Sequence, residues 1–107
     1  MRSGFMFVRM SYWKCLPEYW GADRELFESG AVKIMASHEG FVRAQLLGTP
    51  GESQRIAFTT WKNKADYEKF VESPDLQKII VMFEHMYEKG GSPAPVEYEV
   101  RAQSDPL

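Results

Sequence analysis

Few side chains in this sequence could do acid–base, nucleophilic or metal chemistry, and their spacing narrows the choice further. His38 and His85 belong to separate predicted helices with no other His or Cys beside them, so no metal site is expected. Cys15 is the only cysteine, which excludes an internal disulfide and a zinc site of paired thiolates. Its one charged neighbour is Lys14, and no G-x-S-x-G occurs, so neither a Cys–His nor a Ser–His–Asp nucleophile is supported. Neither GxxxxGK(S/T) nor GxGxxG is present, which argues against nucleotide chemistry. Glu97 and Glu99 share a face of the last predicted strand, where they suit general acid–base work or, equally, a solvated strand edge.

The aromatic side chains, 14% of the chain, carry more. Trp13, Trp61, Tyr67, Phe70 and Phe83 fall at strand ends and on inward helix faces, where a cavity between helices and sheet would be lined. Trp61 and Tyr67 each bring a polar atom that needs a partner once buried. Trp61 ends a strand and Tyr67 lies one turn into the next helix, so the two can converge on one volume. Arg9 departs from its apolar neighbours on the first strand and is the candidate cation for stabilising an anion, or else a partner in a salt bridge within the sheet or a subunit interface. His38 returns to within about 20° of its helix's apolar stripe if that helix extends so far, which would set it at the cavity rim. His85 lies about 200° from Phe83, on the outer face. Aromatic walls with one or two polar handles suit a flat phenolic ligand kept from water.

The elements that must position these groups follow from periodicity. Residues 5–13 (FMFVRMSYW) are β-branched and aromatic with apolar residues on both parities, the pattern of a strand covered on both sides. A helix is predicted from Asp23 to about Glu39-Gly40, with Leu26, Phe27, Ala31, Ile34 and Met35 as its stripe. Residues 41–47 alternate, with Val42, Ala44 and Leu46 opposite Phe41, and form a hairpin with residues 55–62 through the turn cluster at 49–53. Asn63 suits the N-cap of a short helix that buries Tyr67, Phe70 and Val71. Ser73-Pro74-Asp75 restarts a helix with Leu76, Ile79, Ile80, Phe83 and Tyr87 on its buried side, ended by Gly90-Gly91. Residues 95–101 make a last strand with Val96, Tyr98 and Val100 alternating.

The order β-α-β-β-α-β predicts an α+β, ferredoxin-like domain: a four-stranded antiparallel sheet with its helices on one face. The two-sided first strand leaves the other face apolar, so a second copy is expected to cover it and make a homodimer. At 107 residues the chain holds one domain, with a core spanning about residues 5–101. A net charge of −2 without a run of like charge disfavours nucleic acid and anionic membranes. The third strand, RIAFTTWK, lacks the glycines and aromatic pair that an RNA-recognition strand of the same topology requires. The longest apolar run, residues 79–83, falls far short of a membrane span, no secretory signal is read, and a cytoplasmic setting is expected.

Four stretches, FMFVRMSYWK, HEGF at residues 38–41, FTTWKNKADYEKFVESPDLQ at residues 58–77 and VEYEV at residues 96–100, together resemble the antibiotic biosynthesis monooxygenase domain family of dimeric α+β barrels. The resemblance implies a homodimer with a cavity in each subunit, and oxidation of small aromatic or polyketide substrates by molecular oxygen without metal, flavin or other cofactor. It matches Trp61 to the family's tryptophan at the end of strand three and Tyr67 to a substrate-contacting aromatic position. Where quinone-forming members carry an asparagine four residues before that tryptophan, this chain has Ala57. Haem-degrading members have an asparagine on strand one and a histidine about ten residues after the tryptophan. Here Asn63 is the only asparagine and Phe70-Val71 occupy the histidine region, so no stoichiometric haem binding is expected.

The sites expected are therefore Trp61, Tyr67 and Arg9 as catalytic groups, with Phe83, Phe70 and His38 binding a small aromatic ligand. The alternative is a non-enzymatic binding or signalling module on the same scaffold.

Overall fold

A computed structural model of the protein describes residues 5–89 and 94–104. The β-branched and aromatic opening run forms β1 (Phe7–Lys14), and Leu16-Pro17 turns the chain out of it through a single 3-10 turn (Pro17–Tyr19). The helical segment that follows has three parts: α1 (Ala22–Leu26), a π turn (Phe27–Ala31) and α2 (Val32–Ala36). The π turn takes up an extra residue, and the buried side chains here, Asp23, Phe27, Ala31 and Met35, are spaced by four. Gly30 lies in this turn, where a Cβ would meet the Met82 Cε at 2.5 Å, so the glycine admits that close approach.

The helix stops at Ala36, short of the Glu39-Gly40 end expected from the sequence. Ser37 donates both its N–H and its hydroxyl back to the Ile34 carbonyl, closing a tight turn. Gly40 (φ 86°) carries the chain into the next strand, and a Cβ on it would collide with the Asp66 side chain. His38 accordingly sits in the turn beyond the helix, not on its stripe.

β2 (Phe41–Gly48) and β3 (Gln54–Trp61) form the expected antiparallel hairpin. A bulge at Val42 shifts the register from Phe41 opposite Trp61 to Arg43 opposite Thr60. The extra residue reverses parity, so Phe41 joins Ala44 and Leu46 against the core instead of opposing them. The next two helices start at the caps the sequence predicts. For α3 (Lys64–Glu72) the Asn63 side chain accepts from the Asp66 N–H at 2.8 Å. For α4 (Pro74–Phe83) the Ser73 hydroxyl accepts from the Asp75 N–H at 3.2 Å. Tyr67 and Phe70 fill the inward face of α3, whereas Val71, 100° beyond Phe70, is exposed rather than buried as expected.

α4 gives way at Glu84 to a 3-10 turn (Glu84–Met86), so Tyr87 lies beyond the helix in extended backbone, bridged to Cys15. The Gly90-Gly91 stop expected for this helix lies outside the described residues. β4 (Val96–Glu99) completes a sheet of order β2-β3-β1-β4 in which every pairing is antiparallel. This is the ferredoxin-like α+β arrangement. Alternation sends Phe7, Arg9, Ser11 and Trp13 of β1, with Ala57, Thr59 and Trp61 of β3, toward the helices, and Val8, Met10, Tyr12, Ile56 and Phe58 to the opposite face.

Candidate functional site

Between the helix layer and the sheet lies a cavity of about 100 Å³. Its floor is Arg9, Ser11 and Trp13 of β1 with Ala57 and Thr59 of β3. Phe27, Ala31 and Met35 of the first helical segment, Phe70 of α3, and Leu76, Ile79, Ile80 and Phe83 of α4 form its roof. Glu84 and Tyr87, just past α4, close one end. The walls are thus largely aliphatic and aromatic, with polar groups concentrated on the floor.

Arg9 is the cation of this lining, and its Nε is buried without a hydrogen-bond partner among the described residues. Buried donors are nearly always paired, and leaving one unpaired costs about 1–3 kcal/mol. The register sets Arg9 between Thr59 on β3 and Glu97 on β4. Behind it, the Tyr67 hydroxyl donates to the Glu97 carboxylate at 2.6 Å. Burial, and then this bond to Glu97, hold the Tyr67 phenol well above its ordinary range, and the nearby Arg9 guanidinium only partly opposes them. Tyr67 is therefore a proton donor, not a base.

The structure brings Arg9, Phe70 and Phe83 together on the cavity but corrects the expected wall in three places. Trp61 is wholly buried: its ring stacks on Phe70 (centroids 4.8 Å apart), Phe41 meets it edge-on, and its Nε1–H donates to the Thr59 hydroxyl at 3.2 Å. It fills the space between sheet and α3, so the cavity opens farther along β1, beneath α4. Tyr67, packed between Phe7 and Trp61, is likewise not on the lining. His38 pairs through Nε2 with the Asp75 carboxylate at 2.8 Å and rests edge-on against Phe70, tying the turn after α2 to the start of α4. That bond, helped by Lys78, holds the Asp75 carboxyl below its usual range.

His85 is exposed, as its helical angle predicts, and meets the Tyr19 ring edge-on. The Cys15 thiol is buried and pushed up to about 11, by desolvation first and then by the charge of Asp23. Glu99 pairs with Arg101, whereas Glu97 serves Tyr67. Among the described residues no three His, Cys, Asp or Glu side chains gather as a metal-binding set, and no helix is long and apolar enough to cross a membrane.

Sequence reasoning missed Ser11, Thr59 and Glu84 as cavity residues, and the buried ion pair of Asp23 with Arg55 (2.8 Å). Ser11 could have been found, since it shares Arg9's parity two residues on. Thr59 likewise shares the parity of Trp61 two residues on, although its place beside Arg9 depends on strand register; Glu84 had no comparable signal, because its place depends on where α4 unwinds.

Residues 6–81 match the family described as antibiotic biosynthesis monooxygenase. Among solved structures, a Streptomyces coelicolor monooxygenase in complex with the ligand nanaomycin D superposes with a TM-score of 0.76 at 17% identity, covering 96% of this chain and 94% of that one. A Nitrosomonas europaea protein of unknown function gives 0.72 at 12% identity, covering 97% of each chain. A heme-degrading protein of Mycobacterium tuberculosis gives 0.66 at 17% identity, covering 95% of this chain and 98% of that one. No curated protein sequence matches significantly.

Proposed function

The chain belongs to the antibiotic biosynthesis monooxygenase family, and from that premise we propose that it oxidises a small phenol or hydroquinone with molecular oxygen in the cavity between helices and sheet. Family membership and a monooxygenase among the structural neighbours support an oxygenase-type role. The observation that carries the finer reading is Arg9, a guanidinium with an unpaired buried Nε on the floor of an otherwise apolar cavity. Such a group favours the ionised form of a bound phenol, and low-dielectric surroundings strengthen the interaction.

The phenolate is the electron-rich species that can reduce oxygen. Conversion of a phenol to a quinone balances without any co-reductant: the O–H and one ring C–H are lost, one oxygen atom becomes the second carbonyl, and the other leaves as water with the two hydrogens. The substrate supplies all four electrons. The protein would bind and orient the ring, stabilise the anion through Arg9 and keep water away. Set against the roughly 150 Å³ of a cavity that holds benzene, the volume of about 100 Å³ here favours no more than a single ring and is far too small for a porphyrin. No histidine lines the cavity among the described residues, so haem does not fit this site. The single buried thiol suits a reducing compartment, and the cytoplasm is the proposed setting.

Oxygen uptake with a panel of phenols and hydroquinones, followed by quinone absorbance, tests the proposal. Arg9→Met should lower turnover on the order of a hundredfold with the fold retained. Ala57 favours a second reading, because it puts a methyl group on the cavity floor where quinone-forming relatives are expected to carry an amide. Phenols that bind without oxygen consumption would establish that reading, a binding module, in place of the enzyme.

A further inference from the structure

The polar groups on the cavity floor share one property. The Trp13 Nε1–H donates to the Ser11 hydroxyl at 3.0 Å, and the Trp61 Nε1–H donates to the Thr59 hydroxyl at 3.2 Å. An indole nitrogen can only donate, so each hydroxyl oxygen is committed as an acceptor on its protein side. Among the described residues neither hydroxyl donates a hydrogen bond in return, and both residues are buried and line the cavity. Each therefore offers a ligand its unspent O–H and one remaining lone pair. Thr59 stands directly across from Arg9 on the neighbouring strand and Ser11 two residues along, and all three line the cavity, so two hydroxyls share its floor with the guanidinium, itself only a donor.

We infer that Arg9, Ser11 and Thr59 form a floor of hydrogen-bond donors, with Trp13 and Trp61 as positioning residues that hold the two hydroxyls in the donating sense, and that this floor selects ligands by acceptor oxygens such as a phenolate or a quinone carbonyl. The inference rests on the cavity being the ligand site of the proposed function, and adds which end of the ligand faces the sheet and which chemistry is refused. An aryl amine of the same shape would present N–H groups to a guanidinium that cannot accept and to hydroxyls with one lone pair each left, and so would leave donors of the floor unpaired, the arrangement that buried polar sites discriminate against most strongly. Glu84, the one acidic residue of the lining, lies at the exposed end beyond α4 rather than on the floor.

The test uses the full chain and two probes of nearly equal shape, 4-chlorophenolate and 4-chloroaniline, with affinities measured by calorimetry and the chlorophenol's ionisation followed by its absorbance. The wild-type protein should bind chlorophenolate about tenfold more tightly than chloroaniline, and chlorophenol should ionise at lower pH when bound than when free. Ser11→Ala and Thr59→Val should each reduce that preference several-fold, while Ser11→Thr and Thr59→Ser, which keep the hydroxyl, should preserve it. Trp13→Phe retains the ring that stacks on Tyr87 but lacks the N–H, and should also weaken the preference although Ser11 is intact. A purely structural role for Trp13 would leave the ratio unmoved. Equal affinity for the two probes, or a preference unchanged in the alanine, valine and phenylalanine variants, would overturn the donor floor while leaving the cavity as a ligand site. Failure of both probes to bind would overturn the cavity reading itself.

Discussion

Strand parity sends Arg9 to the helix side with Phe7, Ser11 and Trp13, and the Tyr67–Glu97 pair stands beside it. Removing the Tyr67 hydroxyl should therefore act first on stability. Tyr67→Phe is expected to cost about 1 kcal/mol in urea unfolding and to lower turnover less than Arg9→Met does. Cys15, Tyr67 and Tyr87 all keep their protons more firmly in the folded protein, chiefly through desolvation. The unfolded chain releases those protons first, from 9.0 for the thiol and 10.0 for the phenols, so their contribution to stability is complete below pH 9 and is lost as pH rises beyond it. Unfolding free energy measured from pH 8 to 11 should fall across that range, and Cys15→Ser should remove the earliest part of the decline. By the same protonation Cys15 should resist iodoacetamide at pH 8 until the protein is unfolded.

At the scale of elements, the site depends on where helices begin and end. Asn63 starts α3 and so sets the azimuth of Tyr67 and Phe70. Asn63→Ala should cost about 1 kcal/mol, read as a lowered denaturation midpoint, because the Asp66 N–H loses its acceptor. Gly40 does two things at once: it adopts a positive φ and leaves room for the Asp66 side chain at the beginning of the same helix. Gly40→Ala is expected to cost about 1–3 kcal/mol, more than the cap substitution, since both the backbone and the neighbour must yield. The unwinding of α4 at Glu84 matters as much, for it turns Glu84 and Tyr87 to the end of the cavity.

For the whole molecule, the sheet has two apolar faces and the helices cover one. Val8, Met10, Tyr12, Ile56 and Phe58 run across the other, with Leu47 and Tyr98 exposed on its outer strands. A contiguous apolar sheet face is unfavourable in water, and a second copy applied across a twofold axis is the simplest cover. The protein is therefore expected to be a homodimer through these faces. Light scattering at micromolar concentration should give twice the chain mass for the wild type and the chain mass for Met10→Glu, which places an uncompensated charge in the middle of the face. A wild-type monomer would overturn the arrangement.

The sequence alone determined the element order, the sheet topology and the helix starts, because these depend on local periodicity and on caps such as Asn63 and Ser73-Pro74 that act within a few residues. It also turned Arg9, Phe70 and Phe83 toward the space between helices and sheet, since their facing follows from parity or helical angle. Tertiary structure decided what periodicity cannot encode. One bulge at Val42 returned Phe41 to the core, and the turn at Ser37 took His38 off its helix and gave it to Asp75. Close packing under α3 drew Trp61 and Tyr67 away from the cavity, and strand register, a property of two distant segments at once, set Thr59 beside Arg9. The meeting of Arg9 and Thr59 on the floor arises from that pairing, whereas the bonds of Trp13 to Ser11 and of Trp61 to Thr59 each span two residues of a single strand and were within reach of the sequence.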